Sequence, residues 1–511
     1  MTSEERPSSI LFAGAHDRAI AEPAYLGDLN LDQLIDTLTT GRQEYDLRPL
    51  FCTPLHDAAA VTYRHEVLHD LERAEVREPV TRFAERMRAM REQLALAEQM
   101  RHERQAQRWF LDAVGVYCSA VSGLSHALDE LELHSRGLQG FHRHLERYVG
   151  GRAFAALSAE VDELRSDLSA VAYAVHIKGN RVTVRPYADE PDQSAAVEET
   201  FARFKRGAVR DYRARLPDQA EMDQVEERVL DCVAELEPEL FARLARFRSS
   251  RDDYLEPALA AFDREAQFYL AWLQLCERLC DAGLAFCYPR VSASDKQASV
   301  RNAFDVALAS SLPTGTAQIV RNDFALAGEE RIAVVTGPNQ GGKTTFARMV
   351  GQLHHLAGLG LTVPAEEASL FLPDRIFTHF EREEALETLR GKLEDELVRL
   401  HEILGQATGR SLLIMNESFS STTLEDALFL GGEVVRRLEE LDALAVYVTF
   451  VDELASASEH TVSMVAGVVP DDPGTRTFRI ERRPADGLAY ASAIAAKYGL
   501  SYAALRRKLG R

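Results

Sequence analysis

No stretch of this chain approaches the ~20 consecutive apolar residues that a membrane-spanning helix needs. The first residues, Met1 to Pro7, are polar and acidic. They do not have the basic-then-apolar order of a secretory leader, so a cytoplasmic location is expected. Cysteine is scarce, with six in 511 residues, at positions 52, 118, 232, 276, 280 and 287. None forms a Cys-x-x-Cys pair. Cys276 and Cys280 lie one helical turn apart, but no histidine pair completes a metal site, and buried reduced thiols are expected. An excess of positive charge is also missing. The formal net charge of −21 excludes a surface that is basic all over and leaves room only for local basic patches. What is present is 46% hydrophobic and 27% charged residues, a soluble composition able to bury sizeable cores, in a chain too long for one ordinary domain.

The most informative stretch is Gly337-Pro338-Asn339-Gln340-Gly341-Gly342-Lys343-Thr344. It fits Gly, four residues, Gly-Lys-Thr, a phosphate-binding loop. Before it, Ile332 to Val335 form a short apolar run with strand character. After it, Phe346, Met349, Val350 and Leu353 recur at helical spacing. The loop therefore joins a buried strand to a helix. Its glycines let backbone N–H groups turn toward phosphate oxygens, and the helix N-terminus adds partial positive charge. Lys343 suits the β and γ phosphates, and the Thr344 hydroxyl suits magnesium.

Downstream, Ser411 to Met415 reads as a second apolar strand and ends in Asn416-Glu417. Nucleotide hydrolases place a magnesium-holding carboxylate at the end of such a strand, followed by a Glu that orients the attacking water. Asn416 keeps a hydrogen bond for a metal-bound water but brings no charge. Glu417 is the candidate water activator. Between the two strands, Leu389-Arg390-Gly391-Lys392-Leu393 opens a helix bearing Leu397, Leu400, Ile403 and Leu404. Glycine and lysine at a helix start suit a phosphate. Ser418 to Thr423 form a hydroxyl-rich turn, for which helix capping is an alternative role. A third strand spans Ala445 to Phe450.

The rest of the chain reads as helical. Leu29, Leu31, Leu34 and Ile35 suggest a first short helix. Val80, Phe83, Met87, Met90, Leu94 and Ala97 make a heptad-like seam, and Met222, Val225, Val229, Cys232 and Leu236 make a second, ended by Pro238. Between the seams, Ala174 to Ile177 and Val182 to Arg185 flank Lys178-Gly179-Asn180-Arg181, a predicted β-hairpin. A basic stretch follows, with Arg203, Lys205, Arg206, Arg210, Arg213 and Arg215 among Phe201, Phe204 and Tyr212. It suits either a phosphate backbone or a solvated helix face. Helices return from Tyr254 to Gly283. From about Tyr288-Pro289 short apolar runs alternate with helices, which predicts an α/β domain with a largely parallel sheet.

Several motifs occur together: GPNQGGKTT at 337 to 345, VPA at 363 to 365, DRIFT at 374 to 378, LLIMNE at 412 to 417, Thr449 with Glu453-Leu454, and Asn322-Asp323. In combination they resemble the MutS family, DNA mismatch-repair proteins with an ATPase domain of the ABC class. The resemblance is strong from about 320 to 455 and weaker to 511. From about 50 to 300 it is architectural, with arms and insertion similar to the family's core, lever and clamp, starting at Pro54-Leu55, Val61 to Arg64 and Val67. It implies a homodimer with two composite sites for ATP and Mg2+. The loop from Gly337 through Thr345, with Lys343 and the catalytic Glu417, comes from one protomer. Arg390, Gly391 and Lys392 come from the other. Thr344 and Asn416 are the implied metal residues. The family's Asp is Asn416 here, its signature serine is absent, and its switch histidine is Phe450.

The resemblance further implies a C-terminal helix-turn-helix at Ala491 to Leu509. No counterpart of the family's mismatch-recognition domain is expected before the core, and no nuclease domain at the C-terminus. Phe83-Ala84-Glu85 matches the letters of that domain's Phe-x-Glu motif, but Phe83 belongs to the seam and is expected to pack. The expected fold class is α plus α/β, with an N-terminal segment (1–50), a helical core and lever domain (51–285) carrying a clamp-like insertion at about 174–216, and an ATPase domain (286–511). The expected function is a dimeric ATPase that clamps DNA, hydrolyses ATP slowly and serves repair or recombination. Lys178, Arg181, Arg185, Arg203, Lys205 and Arg206 are the candidate nucleic-acid contacts. Two rivals stand beside it: a nucleotide-locked structural or regulatory protein with negligible turnover, and an ATPase whose arms bind a protein.

Overall fold

The computed structural model describes residues 9–14, 22–178, 181–188, 222, 224–251, 253–312, 319–381, 391–469 and 472–485. It mixes long helices with sheets, an α plus α/β fold. Two compact units are present. One holds the chain up to Arg73, His134–Gln139 and everything from Arg264, and the other holds Ala74–Leu133 and Gly140–Asp263.

In the second unit the helices Ala74–Gln99 and Glu103–Asp129 pack along each other. Val80, Phe83, Met87 and Met90 of the first seam are buried, opposite a helix that buries Phe110, Leu111, Val114, Tyr117 and Val121. Phe83 lies 5.8 Å from the Phe262 ring and is a packing residue. The second seam is displaced. In the helix Gln224–Leu236 the buried residues are Val233 and Ala234, whereas Val225 is 58% exposed and Cys232 is also exposed. The helix is covered mainly by the hairpin and by the following helix Pro238–Ser250, so the covered face does not follow the apolar periodicity along its whole length. Pro238 starts that new helix at its first turn, where a proline lacks nothing. The thiols are all unpaired. Cys52, Cys118 and Cys276 are buried as expected, but Cys232 and Cys280 are exposed. The predicted hairpin is present as β1 (Tyr173–Lys178) and β2 (Arg181–Pro186), in antiparallel register with Lys178 opposite Arg181.

The first unit begins with the helix Leu31–Thr39, which buries Leu31, Leu34, Ile35 and Leu38. It continues with β3 (Arg290–Ser292), β4 (Ala298–Ala303), β5 (Asn322–Leu326), β6 (Ile332–Thr336), β7 (Glu367–Phe371), β8 (Ile376–Phe380), β9 (Leu412–Asn416), β10 (Leu444–Val448), β11 (Thr461–Val469) and β12 (Asp472–Arg482). Six strands form one sheet in the order β12-β11-β6-β10-β9-β8. It is parallel throughout except for the antiparallel β11–β12 edge pair. The sheet was legible as largely parallel because β6, β9 and β10 are unbroken apolar runs, the mark of strands covered on both faces. A smaller sheet, β3-β7-β4-β5, is mostly antiparallel and had no signal as clear.

The helix Lys343–Gly358 is buried on nearly all sides. A side chain at Gly351 would place its Cβ 2.6 Å from both Ile414 of β9 and Leu29, so glycine lets the helix lie close to the sheet. Gln352 locks the same helix. Its amide donates to the Leu29 carbonyl at 2.9 Å and to Asp305 Oδ1 at 2.7 Å, and its oxygen accepts from the Val306 amide at 2.9 Å.

Arg64 is the largest buried charge in this unit. Its Nε donates to the Leu11 carbonyl at 3.1 Å and its Nη1 to the Leu359 carbonyl at 2.8 Å, with the guanidinium over the Phe12 and Phe268 rings. Burial pulls its pKa down to about 10, so it remains charged at neutral pH. Replacing Arg64 by Met orphans two buried carbonyls. A loss of about 2–5 kcal/mol is expected, read as a lower urea midpoint. An unchanged midpoint would mean that these carbonyls find other partners.

Candidate nucleotide site

The phosphate loop leaves β6 in the interior of the large sheet. The chain exits β6 toward β8 on one side and exits the neighbouring β10 toward β11 on the other. Such a switch point opens a crevice at the C-terminal edge of the strands. The loop turns at Gly337, whose φ is 109° and where any Cβ would stand 3.0 Å from the Ala466 amide nitrogen. Only glycine meets both conditions. Gln340 takes a left-handed φ of 60°, and Gly342, at 92°, caps the helix Lys343–Gly358. Pro338 and Gly341 close the turn through a 3.2 Å backbone hydrogen bond, while Thr345 lies in the first turn of the helix.

Lys343 is folded into this loop. Its ammonium donates to the Gly337 carbonyl at 2.8 Å, the Pro338 carbonyl at 3.4 Å and Asn339 Oδ1 at 3.2 Å. Burial lowers its pKa, against the opposing pull of the Glu417 and Asp452 carboxylates. The Thr344 hydroxyl donates to Asn416 Oδ1 at 2.9 Å across the gap between helix and β9. Beyond β9, the Glu417 amide donates to the Val448 carbonyl at 2.9 Å, and the chain turns there with a left-handed φ of 54°. The phosphate loop, the end of β9 and the start of Asp452–Ser456 thus meet at one edge of the sheet. Residues 333–501 match the family described as MutS domain V.

Over this domain the chain is similar to proteins of the MutS family. Over 150 residues it is 35% identical to a DNA mismatch repair protein MutS of Dehalococcoides mccartyi, covering 29% of this chain and 18% of that protein. It is 34% identical over 148 residues to a DNA mismatch repair protein MutS of Thermotoga maritima, covering 28% and 18%. The corresponding figures for an Endonuclease MutS2 of Thermus thermophilus are 34% over 140 residues, 27% and 19%. The matched stretch spans under a fifth of the length of these relatives.

Within domain V, Thr449 is buried and its amide donates to the Val335 carbonyl at 3.1 Å, while Phe450 points outward, 43% exposed. Gly391 caps the helix Lys392–Gln406, whose first turn also carries Glu394 and Asp395. Lys392 is engaged within its own chain in an ion pair with Glu381, whose carboxyl it holds below the usual range. Arg390 lies outside the described residues, as do Ala491 to Leu509.

Two neighbours of the loop had no sequence signal. Arg476 of β12 donates from Nε to the Asn339 carbonyl at 3.3 Å, across 137 residues of sequence. Asp452 acts electrostatically on Lys343. No spacing rule connects residues that only the sheet order makes neighbours.

The hairpin candidates fall together. Partners opposite each other in an antiparallel pair share a face, so Lys178, Arg181, His176 and Arg185 line one side of the ribbon. Tyr173, Val175 and Val182 line the other side, each above 40% exposed. Gly179-Asn180 and the basic stretch from Arg203 to Arg215, including Lys205 and Arg206, lie outside the described residues.

No helix among the described residues is long and apolar enough to cross a membrane.

Proposed function

We propose that this protein is a MutS-type ATPase that binds ATP with Mg2+ at the phosphate loop and uses nucleotide occupancy to clamp DNA. The observation that carries this reading is the contact between Thr344 and Asn416, which brings the first turn of the loop's helix to the end of β9, beside Glu417. In it Lys343 exchanges its three loop oxygens for the β and γ phosphates, and Glu417 orients water. Thr344 and Asn416 are two neutral oxygen donors. They suit a magnesium ion that keeps several waters and has its charge balanced by the phosphates. When bound, that ion supplies charge stabilisation to the transferred phosphoryl group.

In this reading residues 286–511 are the ATPase domain, 51–285 are core and lever arms, and about 174–216 form the clamp. A second protomer supplies Arg390, Gly391 and Lys392, and Lys392 must first leave Glu381. The rival in which ATP locks a structural dimer draws support from the neutral Asn416 and from Phe450 in the switch position. Steady-state phosphate release separates the two readings, since a turnover that does not exceed that of Lys343→Ala favours the locked form.

Nucleic acid is expected on the basic face of the ribbon, because a two-stranded ribbon fits a DNA groove and cations contact phosphates. Reversing Lys178, Arg181 and Arg185 to Glu is expected to weaken duplex binding and to flatten its salt dependence by about three units of slope, one per lost phosphate contact. ATP hydrolysis without DNA is expected to stay unchanged. The same reversal at Arg203, Lys205 and Arg206 tests the basic stretch. Pull-down with mismatched, branched and plain duplexes, with and without ATP, reads both. Unaltered DNA binding in both triple variants would favour a protein partner for the arms.

A further inference from the structure

Glu417 stands on a turn that is gripped from outside the phosphate loop. Its φ of 54° and the 64° of Phe419 are left-handed values that side-chain-bearing residues adopt rarely and that need support from their surroundings. Two buried groups provide it. His379, on β8 beside β9, is 2% exposed. Its Nδ1 lies 2.8 Å from Ser418 Oγ and its Nε2 lies 3.2 Å from the Glu396 carbonyl oxygen. A carbonyl only accepts, so Nε2 carries a proton, and in the neutral imidazole Nδ1 accepts from the Ser418 hydroxyl. Glu396, 4% exposed on the helix that Gly391 caps, accepts from the Phe419 amide through Oε2 at 3.1 Å. On the outer side, Glu381 accepts from Ser420 Oγ at 3.2 Å while pairing with Lys392.

We propose that His379 and Glu396 are positioning residues for the hydrolytic step, holding the turn from Glu417 to Phe419 so that the Glu417 carboxylate keeps its aim at the nucleotide. This rests on the ATP hydrolysis proposed above. Neither residue belongs to a nucleotide motif. Both reach the turn through backbone and hydroxyl groups, and both are anchored in elements that flank β9. Relaxing the turn leaves Lys343 and the loop untouched, so binding and turnover separate.

The test compares steady-state phosphate release with affinity for a non-hydrolysable ATP analogue in the parent protein, His379→Ala, Ser418→Ala, the double variant and His379→Gln. Misplacing a reacting group by about 1 Å costs on the order of 100-fold, so kcat is expected to fall roughly 10- to 100-fold in both alanine variants. Analogue affinity is expected to stay within about threefold of the parent, the pattern of an interaction used only in the reaction. The double variant is expected to be no slower than His379→Ala, because the bond that Ser418→Ala removes is already lost in His379→Ala. His379→Gln, which keeps a donor for the Glu396 carbonyl, is expected to recover part of the rate. Ser418→Ala removes a single oxygen and keeps the test open if His379→Ala does not fold. Variants as fast as an active parent, or variants that lose affinity and turnover together, overturn the proposal alone. A parent without turnover overturns the function on which it rests.

Discussion

Lys343→Ala is expected to abolish the thermal stabilisation that Mg-ATP gives the parent protein. Nucleotide present at a hundred times its dissociation constant stabilises the folded state by about 2.7 kcal/mol, and the variant should show almost none of it. The reason is local. The ammonium is buried against the Gly337 and Pro338 carbonyls and the Asn339 side chain, at the centre of the loop. Nothing else in the loop from Gly337 to Thr345 carries positive charge. Without nucleotide, the variant loses the three hydrogen bonds of the ammonium and also the cost of burying it, so its melting temperature is compared with that of the nucleotide-free parent. Differential scanning fluorimetry with and without Mg-ATP reads both quantities. A variant that shifts its melting temperature as the parent does would remove the phosphate loop from the nucleotide site.

Glu417→Gln is expected to bind ATP as the parent does and to hydrolyse it about 10²- to 10⁴-fold more slowly, the range lost with a general base. The amide keeps the shape of the side chain and loses its proton-accepting charge. Retained ATP should also hold any nucleotide-dependent dimer, which light scattering detects. Asn416→Asp is the opposite change. Charged hydrogen-bond partners are roughly twice as strong as neutral ones. An aspartate facing Thr344 is therefore expected to lower the magnesium concentration for half-maximal activity and to raise the rate. A phosphate-release assay across a magnesium titration separates the outcomes. Turnover of Glu417→Gln at the parent rate would show that another group activates the water. A response unchanged in Asn416→Asp would show that the phosphates and Thr344 suffice for the metal.

Much of this protein was decided locally. The four apolar residues before Gly337, the glycines of the loop and the helical spacing after it determine a strand, a tight turn and a helix with little help from elsewhere. The ribbon is of the same kind, since alternating residues around Gly179-Asn180 set its register and hence the shared face of Lys178, Arg181 and Arg185. The seam from Val80 to Met90 is likewise marked by periodicity, and here the helix Glu103–Asp129 supplies the partner that buries it. Tertiary structure decided which of these pieces meet. Thr344 and Asn416 are 72 residues apart and touch because β6 and β9 both flank β10 in one parallel sheet. Arg476 reaches the loop only because β12 closes the sheet edge beyond β11. Val225 and Cys232 fit an apolar periodicity yet face solvent, because a periodic pattern says which residues can be buried and only a packing partner buries them. His379 and Glu396 carry no motif at all. Their hold on the Glu417 turn arises from strand order and helix placement, which no spacing along the chain encodes.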